Sequence, residues 1–159
     1  MVTRVHIATD HAGMELSAYL VAELTKLGYR MIDHGPQTFD PEDDYPGFCI
    51  KAAQAVVSDR QQGLDAFGIV LGGSGNGEQM AANKVNQIRA ALVWSSEIAR
   101  LARDHNDANV IAVGARQHSN TEVLELVKVF LETPFSEATR HIRRIEKIAA
   151  FERTGEVQL

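Results

Sequence analysis

Ala66-Phe67-Gly68-Ile69-Val70-Leu71 carries no polar side chain and runs directly into Gly72-Gly73-Ser74-Gly75-Asn76-Gly77-Glu78. A strand with one wet face alternates apolar and polar residues, whereas one that is apolar throughout is buried on both faces, as inside a parallel sheet. Parallel strands need crossover connections, usually helices, and the flanking sequence supplies them. Upstream, Val5-His6-Ile7-Ala8 reads as a first strand. Leu16, Leu20, Leu24 and Leu27 then share one face of a helix over Met14 to Leu27, closed by Gly28. Tyr29 to Ile32 reads as a second strand, and the pattern predicts a helix over Phe48 to Val57 after a Pro46-Gly47 turn.

Downstream, a short helix is expected near Glu78 to Lys84 and a fourth strand over Ala90 to Trp94. Ser95 caps a helix through Arg103, Val110 to Val113 forms a fifth strand, and Ser119-Asn120-Thr121-Glu122 resembles a capping box opening a helix to Leu131. Thr133-Pro134 breaks that helix, and a last one starts at Ser136 and runs to about Phe151. Strands alternating with helices predict an α/β fold: a three-layer, Rossmann-like open sheet of five parallel strands with helices on both faces. A single domain over residues 1–159 is expected. The strand order is not legible, and His34 to Pro46 is the one long irregular stretch.

Composition narrows the function. The 159 residues are 45% hydrophobic and 23% charged, with 16 Lys and Arg against 21 Asp and Glu, a net charge of −5. That weighs against nucleic-acid binding, which needs a basic face to displace counterions. No apolar run is long enough to span a bilayer, and Met1 to Val5 lacks the pattern of a signal peptide. Cys49 is the only cysteine, so an internal disulfide or a cysteine-based metal site is ruled out and a reducing, cytoplasmic setting is expected. Cys49 sits among apolar residues and reads as a buried structural thiol.

In open parallel sheets ligands bind at the carboxyl ends of the strands, which directs attention to the glycine loop. Glycines let backbone N–H groups approach a ligand, and a helix start adds a positive dipole end. A dinucleotide fingerprint begun at Gly75 and Gly77 fails at Met80. A phosphate-binding P-loop would need Lys and Ser or Thr where Glu78 and Gln79 stand. A carboxylate there would repel a nucleotide triphosphate. Beside a nest of N–H donors it suits proton abstraction from carbon, with the donors holding the developing oxyanion. Taken alone, the loop reads equally well as a tight turn with a glutamate favoured by the helix dipole.

The remaining candidates are ambiguous singly. Asp10-His11 follows the first strand and could be a helix cap with a surface histidine, or a polar pair at the sheet rim. His105-Asn106 ends a helix, where a histidine is a good dipole partner as well as a common proton shuttle. Arg140, Arg143, Arg144 and Lys147 share one helical face, either a phosphate clamp or a solvated basic surface. Arg116 follows the fifth strand. Asp40, Glu42, Asp43 and Asp44 read as a solvated acidic loop without calcium-loop spacing. His6, His34, His118 and His141 show no metal-ligand spacing.

Asp10-His11-Ala12-Gly13, Asp44-Tyr45-Pro46, Gly72 to Glu78, His105-Asn106, Gly114-Ala115-Arg116 and Arg140-His141-x-Arg143-Arg144 occur in this order. From about Val5 to Phe151 the chain closely resembles the type B ribose-5-phosphate isomerases of the ribose/galactose isomerase family. The resemblance implies aldose–ketose isomerisation of a sugar phosphate through a cis-enediolate, with neither metal nor organic cofactor. It also implies a homodimer, sometimes a tetramer, with the active site shared across the subunit interface. One branch uses a cysteine of the glycine loop as carbon base; the resemblance puts Ser74 at that position here. The other branch carries Glu at the end of the loop, so Glu78 is assigned as base. The backbone of Gly73, Ser74, Gly75, Asn76 and Gly77 is assigned to the enediolate oxygens and His105 to ring opening. Asp10, His11 and Asn106 would meet the sugar, and Arg116, Arg140 and Arg144 the phosphate. Ribose 5-phosphate and ribulose 5-phosphate are the expected pair. The same residues would serve a hexose 6-phosphate, a tetrose 4-phosphate, or a sensor that binds without turnover.

Overall fold

The computed structural model describes residues 2–159. Its centre is β3 (Ala66–Gly72), buried along its whole length. On one side β3 pairs in parallel with β1 (Arg4–Ala8), which pairs with β2 (Arg30–Asp33). On the other it pairs with β5 (Val110–Gly114), which pairs with β4 (Ala90–Leu92). The sheet is therefore five-stranded and all parallel, in the order β2-β1-β3-β5-β4.

Because side chains alternate along a strand, the sheet has two cores. One face buries Val5, Ile7, Phe67, Ile69, Leu71, Ile111 and Val113 under α1 (Met14–Lys26), α4 (Ser96–Asp104) and α5 (Asn120–Glu132). The other buries Val70, Val110 and Ala112 under α2 (Tyr45–Gln61) and α3 (Asn76–Ala82). The three layers expected from the alternation are present. The capping box at α5 is complete, with Ser119 and Glu122 exchanging backbone hydrogen bonds, a feature that contributes about 1 kcal/mol. α6 (Thr139–Thr154) lies outside these layers and exposes Ile142, Ile148 and Phe151.

Among the boundaries that differ from the sequence reading, two have clear local reasons. Pro46 and Gly47 form the first turn of α2, not a separate turn, because proline is tolerated where a helix N–H has no partner anyway. The last helix begins at Thr139, not Ser136. The Ser136 backbone N–H and hydroxyl both go to the Asp104 carbonyl, which ties that segment to the end of α4.

A polar chain crosses the second face. His6 Nε2 meets Asp59 Oδ2 at 2.9 Å, His6 Nδ1 meets His34 Nε2 at 2.8 Å, and Arg4 donates to Asp59 Oδ1 at 2.8 Å. Burial lowers the pKa of His6 and of His34 against the ordinary imidazole range; the Asp59 contact pulls His6 the other way. Burial pushes the Asp59 carboxyl up, but hydrogen bonds from His6 and Arg4 win and hold it low. A histidine with a lowered native pKa binds fewer protons folded than unfolded just below pH ~6.5, so acidification costs stability there. Glu78, raised in the native state, offsets part of this. Thermal unfolding between pH 7 and pH 5 should therefore show a shallower loss of stability in His34→Asn than in the parent chain.

Cys49 is fully buried, and burial, with the nearby charges of Glu78 and Asp10, pushes its thiol up to about 12. A thiol that stays protonated is a poor nucleophile. In the native protein at pH 8, iodoacetamide should leave Cys49 unmodified; in denaturant it should react fully, as mass spectrometry would record.

Candidate active site

In doubly wound sheets the crevice for a ligand opens where adjacent strands send their connections to opposite faces. Here that place lies between β1 and β3: α1 leaves β1 over one face and α3 leaves β3 over the other. Asp10-His11 follows β1, Gly72 to Glu78 closes β3, and Arg116 follows β5.

The glycine loop is fastened to the end of β5. Ala115 N–H donates to the Gly72 carbonyl at 2.7 Å, and Arg116 N–H to the Gly73 carbonyl at 3.2 Å. Gly75 takes a left-handed conformation, φ 83°, pressed between the Leu92 side chain and the Val113-Gly114 backbone. That turn starts α3 at Asn76 and brings Glu78 back under the loop, only 4% exposed. The Glu78 carboxylate lies directly on Gly72, where any Cβ would overlap it. Burial raises the Glu78 pKa and the charge of Asp10 adds to this, while the N–H groups of Glu78 itself and Gly75 pull it down.

The place beside the carboxylate thus belongs to position 72. Ser74 is exposed, its hydroxyl turned to the Asn76 amide at 3.2 Å. A loop side chain substituting for Glu78 would stand at 72, which corrects the expectation drawn at Ser74. Arg116 is exposed and its guanidinium runs alongside Gly73.

Asp10 is nearly buried and accepts from Ala12 N–H at 2.9 Å, so it is both a cap and a neighbour of Glu78. His11 Nδ1 meets Asp43 Oδ1 at 2.7 Å, and the same oxygen accepts the His11 backbone N–H at 3.0 Å. Asp43 is therefore not part of a solvated acidic loop. Tyr45 packs its ring and hydroxyl onto the Cα of Gly77. Sequence reasoning quoted Tyr45 within a motif without assigning it to the site and read Asp43 as solvated, because a loop of 13 residues has no period from which inward and outward positions could be told. Donor atoms of Asp10, His11 and Asp43 lie within 4.8 Å of one another.

The other nominated residues gather elsewhere. α4 runs back along the sheet and ends at its opposite edge, where Arg89 Nε donates to the Asn106 carbonyl at 2.9 Å beside the start of β4. His105 caps α4 and faces His141 with ring centroids 4.3 Å apart. His141 is buried and lies 2.9 Å from the Ser136 hydroxyl through Nδ1, while Arg140 Nε donates to its Nε2 at 3.1 Å. Burial lowers the His141 pKa, and the charge of a protonated His105, then Arg140 and Arg144, lowers it further. So Glu78, Asp10, His11, Arg116 and the loop sit at the carboxyl edge. His105, Asn106, Arg140 and Arg144 sit at the amino edge, across the length of β5, about 13 Å of strand.

Known proteins align with the chain over nearly its whole length. The family model described as Ribose/Galactose Isomerase matches residues 5–148. A ribose-5-phosphate isomerase B of Mycolicibacterium paratuberculosis is 52% identical over 151 residues, covering 95% of this chain and 92% of the relative. Among solved structures, the type B ribose 5-phosphate isomerase of Trypanosoma cruzi superposes with a TM-score of 0.89 at 38% identity, over 98% of this chain and 100% of that one. Ribose-5-phosphate isomerase B of Mycoplasma genitalium, solved with bound ribulose-5-phosphate, gives 0.89 at 37% identity, over 97% and 99%. With its six motifs in order along the sequence, the chain belongs to the ribose/galactose isomerase family, alongside the type B ribose-5-phosphate isomerases.

Proposed function

We propose that this protein interconverts D-ribose 5-phosphate and D-ribulose 5-phosphate through a cis-enediolate, with Glu78 as the carbon base. The observation that carries this reading is the buried Glu78 carboxylate, its pKa raised, lying against a loop of backbone N–H groups at the sheet's switch point. A proton alpha to a carbonyl is weakly acidic, so its removal needs an oriented base and donors for the oxyanion. A glutamate whose pKa is raised toward neutrality is a stronger base than an ordinary one. Glu78 takes the proton from C2 and returns it to C1. The N–H groups of Gly73 to Gly77 hold the two enediolate oxygens meanwhile. Asp10, His11 and Asn106 bind hydroxyls or the ring oxygen, and His105 shuttles the protons that open the ring. Arg116, Arg140 and Arg144 hold the phosphate, a local cation cluster that overcomes the repulsion of a net charge of −5.

One chain cannot assemble this set, because its two halves lie at opposite edges of the sheet. We infer a homodimer in which His105, Asn106, Arg140 and Arg144 of one subunit complete the Glu78 site of the other. The exposed Ile142, Ile148 and Phe151 of α6 and Met80 of α3 supply apolar surface for such a contact.

With ribose 5-phosphate and EDTA, the parent chain should form ketose rapidly, and Glu78→Gln should be slower by ~10²–10⁴-fold. Loss of turnover in EDTA, or a fast variant, would overturn the metal-free, Glu78-based reading. Glu78→Gln and His105→Gln homodimers should each be nearly inactive. Refolded together they should recover about a quarter of parental activity, since half the dimers are mixed and each mixed dimer has one intact site. No recovery would place both residues in one subunit's site.

A further inference from the structure

The loop from His34 to Pro46 carries Asp43, a carboxylate that does little for its own stability. Its side chain is only 9% exposed, Oδ1 is shared by the ring and the backbone N–H of His11, and Oδ2 is buried with no partner among the described residues. Burying a carboxylate with half its acceptors unsatisfied costs free energy, so a role beyond packing is the natural explanation. Everything this carboxylate touches through hydrogen bonds is His11. The same loop lays Phe39 edge-on against the His11 ring, centroids 6.1 Å apart at 87°. His11 is thus gripped by its backbone, by Nδ1 and by a ring face, and Nε2 is the nitrogen left without a protein partner among the described residues.

A carboxylate acceptor at Nδ1 requires the proton to be on Nδ1. We propose that Asp43 is a positioning residue for the isomerase reaction: it holds His11 through its Nδ1–H, so that Nε2 is left to meet the sugar phosphate. This rests on the sugar-phosphate reading of the site. It also gives the irregular loop a task, which is to aim His11 from outside the sheet.

The test uses two variants and two readouts. Asp43→Asn keeps an acceptor oxygen for Nδ1–H and for the backbone N–H; Asp43→Ala removes it. Nitrogen-15 NMR of the histidines in the substrate-free protein, with His11 assigned through His11→Gln, reports the tautomer and does not depend on turnover. His11 should be Nδ1–H in the parent and in Asp43→Asn, and lose that bias in Asp43→Ala. In ribose 5-phosphate turnover, Asp43→Ala should lose about tenfold in kcat/KM, one hydrogen bond's worth, and Asp43→Asn far less. In a His11→Gln background, Asp43→Ala should cost nothing further. An Nε2–H tautomer in the parent, or equal losses with and without His11, would overturn the proposal. An inactive parent would instead refute the reading of the substrate and leave the tautomer result standing.

Discussion

The structure turns on a contact that only a hydrogen atom permits. The Glu78 carboxylate rests on the Cα of Gly72. With a side chain at 72 the carboxylate would have to leave this place. The other glycines of the loop serve the same placement. Gly75 makes the left-handed turn that starts α3, and Gly77 leaves room for the Tyr45 ring. The end of β5 then locks the loop from the far side with two backbone hydrogen bonds. A flexible sequence is made rigid by being threaded between a strand end, a tyrosine and its own glutamate.

A second constraint comes from the crossovers. α4 descends from the carboxyl edge to the amino edge, so whatever ends it is carried away from the glycine loop. His105, Asn106 and the arginines of α6 are therefore remote from Glu78 in the same chain. They form an ordered cluster of their own through Ser136 and His141. In the proposed dimer, that cluster is the half-site each subunit offers its partner.

Two aspartate–histidine pairs in this chain have the same local chemistry and different surroundings. Asp59 and His6 are joined within the α2 face of the sheet, with Arg4 and His34 extending the chain. They bind a strand to a helix. Asp43 and His11 are joined at the rim of the crevice, where one imidazole nitrogen has no protein partner among the described residues. Spacing in sequence, 53 residues for one pair and 32 for the other, says nothing about which is which. Position relative to the carboxyl ends of the strands does.

The amino-acid sequence by itself determined the elements and their kind. A strand apolar on both faces, helical apolar spacing between strands and the capping signals at Ser95 and Ser119 are local properties, and each predicted element is present within a few residues. The glycine loop with Glu78 was legible for the same reason, since its chemistry is contiguous. Only the tertiary structure decided the strand order, because any crossover long enough to hold a helix can reach either neighbour. It also decided that position 72, not Ser74, lies beside Glu78, that Asp43 is buried against His11, and that His105 and the arginines stand at the far edge. Each of these depends on contacts between residues distant in sequence, and no periodicity along the chain records which distant surfaces meet.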